Sequence, residues 1–162
     1  MAASGALVAL PSWAVAWDVC NLNDLTSFSI IEQNLLASVA DTIIPSGNSI
    51  GALSVGVDQF LQRLIDKCYD HEVQENVRNQ LNGLEEAAQK THQKPFAQCN
   101  QQQRQVLLLQ LSTSENKNEK DFFGLVKSET IRGFNTSREV MVNYLHYKLV
   151  PGHFYGCVGA KA

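Results

Sequence analysis

The sequence predicts an all-α protein: an irregular bundle of about five helices with an aromatic, loop-rich C-terminal tail. Apolar residues recur at helical spacing in successive segments, and no stretch alternates apolar and polar residues as a half-buried strand does. The chain has 162 residues, of which 44% are apolar and 18% charged. This is the size of one modest domain that supports its own core.

The charge balance argues against nucleic acid as a partner. The chain carries 13 Lys and Arg against 16 Asp and Glu, for a net charge of −3. Binding to a phosphate backbone requires a basic excess, which this composition lacks.

The first residues are typical of an export signal rather than of a fold. Residues 7–10 are a short apolar centre, and an Ala-x-Ala cleavage site follows at residues 14–16. We therefore interpret residues 1–16 as the remnant of a secretory signal, which is too short to span a bilayer. A hydrophobic arm that packs on a partner is the alternative. Residues 17–28 would form an N-terminal arm, residues 29–162 a single helical domain, and the compartment would be the periplasm.

A capping box predicts where the first helix begins. Ser29 and Glu32 have the Ser-x-x-Glu spacing in which each side chain satisfies a free amide of the first turn. Apolar residues then recur every four positions, at Ile31, Leu35, Val39 and Ile43. The turn-forming residues 45–48 end the pattern.

Two further helices follow. The second has an unbroken apolar stripe, at Val57, Phe60, Leu61, Leu64, Ile65 and Cys68. Because Cys68 lies on this stripe, we expect its thiol to be buried. The third helix places Val73, Val77, Leu81 and Leu84 at helical spacing. Its other faces should be solvated, since they carry Glu72, Glu75, Arg78, Glu85 and Glu86. Residues 91–95 break the pattern, because the residue before Pro95 is steered away from helical angles.

The fourth helix is expected to begin near Asn100. Residues 106–109 together with Leu111 are apolar on several faces, which predicts a helix buried in the middle of the bundle or covered by another protein. Residues 112–120 are polar and indicate a solvated loop or a ragged helix start. A fifth helix follows and should end near Gly133; its apolar residues are Phe122, Phe123, Leu125, Val126 and Ile131.

The C-terminal tail concentrates aromatic residues in a segment rich in turns. Such residues either cover a hydrophobic groove or anchor the chain in a partner's pocket. We take the tail as the candidate partner interface. Its residues are Phe134, Tyr144, Tyr147, Pro151, Gly152, Phe154, Tyr155 and Cys157.

The sequence contains no recognisable catalytic, cofactor or metal site. It lacks the glycine-rich nucleotide motifs. Residues 47–51 match the Gly-x-Ser-x-Gly pattern, but hydrolases place that pattern between a strand and a helix, and no strand is predicted here. No two of its histidines lie three or four residues apart, as a pair of metal ligands on one helix face would; they are His71, His92, His146 and His153. Binding is therefore the expected role. The alternatives are a stand-alone periplasmic helical adaptor, and an enzyme or haem-binding protein that uses His146 and His153.

The cysteines are too widely spaced for a zinc ribbon or a Cys-x-x-Cys redox pair. They are Cys20, Cys68, Cys99 and Cys157. An oxidising compartment permits disulfides, and the pairing stays open, as does a free thiol at Cys157.

Several segments, taken in order, resemble the small third (gamma) subunit of gluconate 2-dehydrogenase. The resemblance covers roughly residues 30–158. It is carried by residues 36–45, Gly51-Ala52, Gly56-Val57, Pro95-Phe96, Phe122-Phe123, Gly133-Phe134, Thr136-Ser137, Tyr147, Pro151-Gly152 and Gly156-Cys157.

The resemblance implies a non-catalytic partner of a large flavoprotein of the glucose-methanol-choline type. That flavoprotein carries FAD, oxidises a sugar or sugar acid, and passes electrons to a cytochrome c or another membrane-side acceptor. The small subunit of this family commonly carries the export signal, often of twin-arginine type. Cys157 is then a candidate for a disulfide to the large subunit, to Cys20 or to Cys99.

The end of the chain departs from many relatives, which carry a Tyr-Gly-Gly-Asn stretch there. This sequence instead has Thr136-Ser137, then Leu145-His146-Tyr147 and Pro151-Gly152. That form resembles the branch that accompanies glucoside 3-dehydrogenases.

Overall fold

All regular secondary structure in the described part of the protein is helical. The computed structural model describes residues 26–47, 49–148, 150 and 152. The helices are α1 Ile30–Ile43, α2 Val57–Cys68, α3 His71–His92, α4 Gln101–Thr113 and α5 Lys117–Thr136. Two 3₁₀ turns, Leu53–Val55 and Phe96–Gln98, and one π-helical turn, Val140–Tyr144, complete the described elements. No strand occurs within these residues, and the predicted all-α class is confirmed.

Helix α1 lies at the centre of the bundle. The predicted capping box is present, with Ser29 N donating to Glu32 Oε2 at 2.7 Å and Glu32 N donating to Ser29 Oγ at 3.3 Å. Its buried face contacts all four other α-helices; the buried residues are Leu35, Leu36, Val39, Ala40 and Thr42.

Ile31 is exposed and does not continue the buried face of α1. A strict four-residue spacing overshoots the helical turn of 3.6 residues by roughly 40° at each step. Ile31 and Ile43 therefore point about 120° apart by the same geometry.

Polar contacts with α2 and α3 hold the segment that precedes α1. Ser27 donates its backbone N–H and its hydroxyl to Asp66 on α2. The next residue, Phe28, is buried, and the guanidinium of Arg78 on α3 lies 5.2 Å from the centre of its ring. The Ser27 hydroxyl bond, aided by Lys67, lowers the pKa of Asp66 below its ordinary value.

The second helix begins as predicted, with Val57, Leu61 and Ile65 fully buried. The expectation for Cys68 is wrong: its thiol is free and exposed. Cys68 lies on the apolar stripe, but it is the last residue of α2 and lies beyond the buried part of that stripe.

The third helix buries Val77, Leu81 and Leu84, and it ends at the predicted break with Gln93 in the left-handed conformation. Its polar face is not uniformly exposed to solvent, because Arg78 and Glu85 are half-buried. Arg78 covers Phe28 as described above, and Glu85 accepts a 2.9 Å hydrogen bond from the backbone N–H of Phe96.

Helix α4 is held on α1 by Arg104. Its guanidinium lies 2.9 Å from Asp41 Oδ2 and donates at 3.3 Å to the carbonyl of Ser38, both on α1. Asn100 caps α4 reciprocally with Gln103, so the helix begins where the sequence predicts.

Helix α5 packs against α2 without a side chain at Gly133. A Cβ placed on Gly133 would lie 2.5 Å from Cδ1 of Phe60, closer than van der Waals contact allows. The helix continues past the predicted end at Gly133 to Thr136. Nearby, Tyr69 donates to Glu129 Oε1 at 3.1 Å, and burial raises the pKa of its phenol.

We expect Gly133→Ala to destabilise the protein by about 1 kcal/mol, because the overpacking cost of roughly 1–3 kcal/mol exceeds the gain in helix propensity. Gly124→Ala, on the same helix, is the matched control, since nothing lies within 4 Å of its added methyl. It should stabilise the protein by roughly 0.5–1 kcal/mol. Urea unfolding measures both, and equal stability of the two variants would contradict the packing described here.

We expect Asp66→Asn to be less stable than the wild-type protein near neutral pH. Because the folded-state pKa of Asp66 is lowered, the ionised carboxylate stabilises the fold above the ordinary pKa of about 3.9 and loses this effect as the pH falls. Urea unfolding at about pH 7 and about pH 3 should show a difference that shrinks in acid. A difference that grows in acid would contradict the assignment.

Candidate partner-binding surfaces

Helix α4 has one buried and one open side, although residues 106–109 are all apolar. Leu107 and Leu108 are 2% and 3% exposed, whereas Val106 and Leu109 are 53% and 59% exposed. Burial in the middle of the bundle, one of the two expectations for this helix, is therefore wrong. The other expectation, that another protein covers it, stays a prediction.

An apolar groove of about 290 Å³ lies beside Leu109, between the end of α1, the middle of α4 and the first half of α5. Its lining residues are Thr42, Ile43, Gln105, Leu108, Leu109, Phe123 and Lys127. The groove joins the end of α1 to the consecutive helices α4 and α5, which are distant from α1 in sequence. Sequence reasoning did not find it.

A stripe on α5 extends this groove toward the C-terminal tail. Phe123, Lys127, Ile131 and Phe134 follow i, i+4, i+8 and i+11, which places them on one side of the helix. This spacing is the signal in the sequence that could have linked the groove to the predicted interface. We call the whole surface the α4–α5 face; it comprises Ile43, Val106, Leu109, Phe123, Lys127 and Ile131.

The charged residue among the six that define the α4–α5 face is a lysine, Lys127. Lys127 Nζ lies 5.7 Å from the centre of the Phe123 ring, and Lys120 lies seven residues earlier on the same side of α5. Within the described residues, neither lysine forms an ion pair with a carboxylate. The face therefore offers apolar surface together with cations that have no carboxylate partner of their own in this part of the chain.

The predicted tail interface lies partly within the described residues. Tyr144 and Tyr147 are 53% and 52% exposed, Gly152 is exposed, and Phe134 is half-buried against the core. The remaining members, which are Pro151, Phe154, Tyr155 and Cys157, lie outside the described residues. The assignment of these eight residues to an interface stays a prediction.

Backbone geometry positions the two tyrosines. Leu145 N donates to Val140 O at 2.9 Å, closing the π-helical turn, and Tyr147 N donates to Met141 O at 2.8 Å. His146 between them takes the left-handed conformation, with φ of 50°. The turn leaves Val142 and Leu145 exposed beside the tyrosines.

The described residues contain no group of three His, Cys, Asp or Glu side chains that could hold a metal ion. A cleft of about 450 Å³ between α3 and α5 is acidic, being lined by Glu72, Glu75 and Asp121. Cys99 is a free, buried thiol. His153, Cys20 and Cys157 lie outside the described residues, as do residues 1–16, in which we predict the export signal.

The comparisons with known proteins identify a family. The model of the family described as Gluconate 2-dehydrogenase subunit 3 matches residues 31–152, which is most of the chain. No curated protein and no solved structure matches the sequence. Among the described helices, none combines the length and the apolar character needed to cross a membrane.

Neighbouring leucines on α4 provide a direct test of which side is open. Leu108→Ala should cost about 2–5 kcal/mol, because it empties a buried position. Leu109→Ala should change the free energy of unfolding by no more than about 0.5 kcal/mol, since it alters an exposed one. Chemical denaturation compares the two variants. Similar losses at both positions would show that the chain itself covers Leu109.

Proposed function

Because the chain belongs to the gluconate 2-dehydrogenase subunit 3 family, we propose that it is the non-catalytic small subunit of a periplasmic, FAD-dependent sugar dehydrogenase complex. The enzyme is of the glucoside 3-dehydrogenase or gluconate 2-dehydrogenase type. The family match over residues 31–152 is the observation that carries this proposal. A family of subunits of a dehydrogenase complex implies a larger partner.

The exposed apolar residues support a role in assembly. Monomeric proteins rarely expose large contiguous apolar patches, and stable interfaces bury about 1,600 Å². The α4–α5 face and the exposed residues around Tyr144 and Tyr147 give this chain apolar surface in two places. A large subunit with a complementary apolar surface would be stabilised by burying it here.

The chemistry belongs to the large subunit in this proposal. FAD bound there accepts the electrons of the sugar and passes them on to a cytochrome c or to another membrane-side acceptor. The small subunit contributes surface rather than a reacting group. Its predicted contacts are the eight tail residues, with Pro151-Gly152 setting the direction of the tail and Tyr144 and Tyr147 as aromatic anchors.

Export is the second part of the proposed role. The signal proposed in residues 1–16 would direct the small subunit to the periplasm, and the bound flavoprotein would travel with it. The Sec and twin-arginine routes differ in whether the cargo is folded. The yellow colour of the flavoprotein, measured in separate cell fractions, shows whether the large subunit has been exported together with the small subunit.

Co-expression with the product of the neighbouring open reading frame tests the proposal. A tagged small subunit should recover a yellow flavoprotein, while the small subunit purified alone should show neither a flavin spectrum nor turnover of sugar. A soluble monomer that ignores the flavoprotein would contradict the proposal. A haem Soret band in the lone chain would do the same.

The double substitution Tyr147→Ala and Phe154→Ala should lower recovery of the flavoprotein much more than it lowers helix content. Tyr147 is half exposed, so its loss removes an anchor without opening the core. Phe122→Ala is the control, because it empties a buried position and should cost about 3–5 kcal/mol of stability. If circular dichroism fell equally in both proteins, the tail residues would be core rather than interface.

A further inference from the structure

We propose that the α4–α5 face is a second docking surface for the large subunit, one that receives an apolar segment flanked by carboxylates. This inference rests on the proposed function, because it takes the large subunit as the occupant. It goes beyond that function by adding an interface separate from the aromatic tail and by stating the chemistry of the segment that binds there.

The shape of the face favours an inserted apolar side chain. Ile43, Leu109 and Phe123 come from three helices and converge on one groove of about 290 Å³. Val106 lies one turn from Leu109 on the open side of α4 and extends the apolar surface past the groove. Apolar anchors set in pockets of this kind carry much of the binding free energy in protein interfaces.

The charges of the face determine what should surround the inserted side chain. Lys127 borders the groove and Lys120 lies two turns before it, whereas the open side of α4 presents uncharged residues such as Gln102 and Gln105. The nearest carboxylate on α1, Asp41, is occupied by Arg104. One acid, Glu119, lies on this side of α5 a turn before Phe123, and it accepts a hydrogen bond from Asn116. Carboxylates on the partner would meet Lys127 and Lys120, which have no carboxylate partner within the described residues.

This charge pattern argues against two other occupants. Two copies of the chain that met symmetrically through this face would place lysines opposite lysines. The chain's own C-terminal segment, residues 146–162, contains no Asp or Glu that could pair with Lys127. A larger partner with acidic residues is the occupant that the charges fit.

The fold does not depend on the exposed residues of this face. Arg104 fixes α4 to α1 through Asp41 and Ser38, and Leu107 and Leu108 supply the buried contacts. Polar replacements at Val106 and Leu109 should therefore leave the small subunit folded.

The test is the double substitution Val106→Gln and Leu109→Gln in the full chain, co-expressed with the flavoprotein from the neighbouring open reading frame. Recovery of the yellow protein per tagged small subunit should fall by about tenfold. The matched control is Ile30→Gln and Ile31→Gln, at residues that are 76% and 69% exposed on α1 and lie outside the face. Circular dichroism confirms that each variant is folded.

Each outcome separates the two proposals. If the wild-type chain recovers no flavoprotein, the proposed function fails. If the wild type and the α4 double variant recover equal amounts, the proposed function stands and this docking surface is wrong. Equal losses in the α4 variant and the α1 control would also overturn it. A dimer of the isolated chain that only the α4 variant dissociates would assign the face to a second copy.

The charge of Lys127 tests the stated chemistry of the partner. Lys127→Glu should reduce recovery of the flavoprotein at low salt, and added salt should narrow its difference from the wild type. Lys90→Glu is the control, because Lys90 lies on α3, away from the face, and pairs there with Glu86. An equal effect of both reversals, or none, would overturn the requirement for carboxylates.

Discussion

The buried side of α1 is the contact on which the rest of the bundle depends. Leu36, Val39 and Ala40 are almost completely buried there, and α2, α3, α4 and α5 all pack against this helix. A central helix of 14 residues has little surface, and four neighbouring helices pack against it. Each neighbour therefore buries one narrow side, and the apolar residues of α4 outside that side remain open to a partner.

The sequence predicts the helices well because their signals are local. Ser29 and Glu32 begin α1 through bonds between residues three apart, and the stripe of α2 shows which side is buried. At Cys68 the same reasoning fails, since its exposure depends on where the neighbouring helices end. The close contact between Gly133 and Phe60 is likewise a meeting of two helices that are far apart in sequence.

The candidate surfaces likewise divide into features that local sequence predicts and features that depend on how the helices pack. Residues 106–109 are apolar all round, so helical spacing alone cannot tell the buried side of α4 from the open one. The groove needs Ile43, Leu109 and Phe123 together, and only the packing of three helices makes them line one groove. The family, in contrast, follows from the order of short segments along the chain, and the sequence is enough to identify it.

Side-chain oxidation by hydroxyl radicals, measured in the isolated chain and in the complex with the flavoprotein, tests the central claim most directly. The account predicts that Val106, Leu109, Tyr144 and Tyr147 are oxidised in the isolated chain and protected in the complex. Ile30 and Ile31 should react equally in both. Unchanged oxidation of the first four residues on complex formation would contradict the claim that this bundle serves to cover a larger partner.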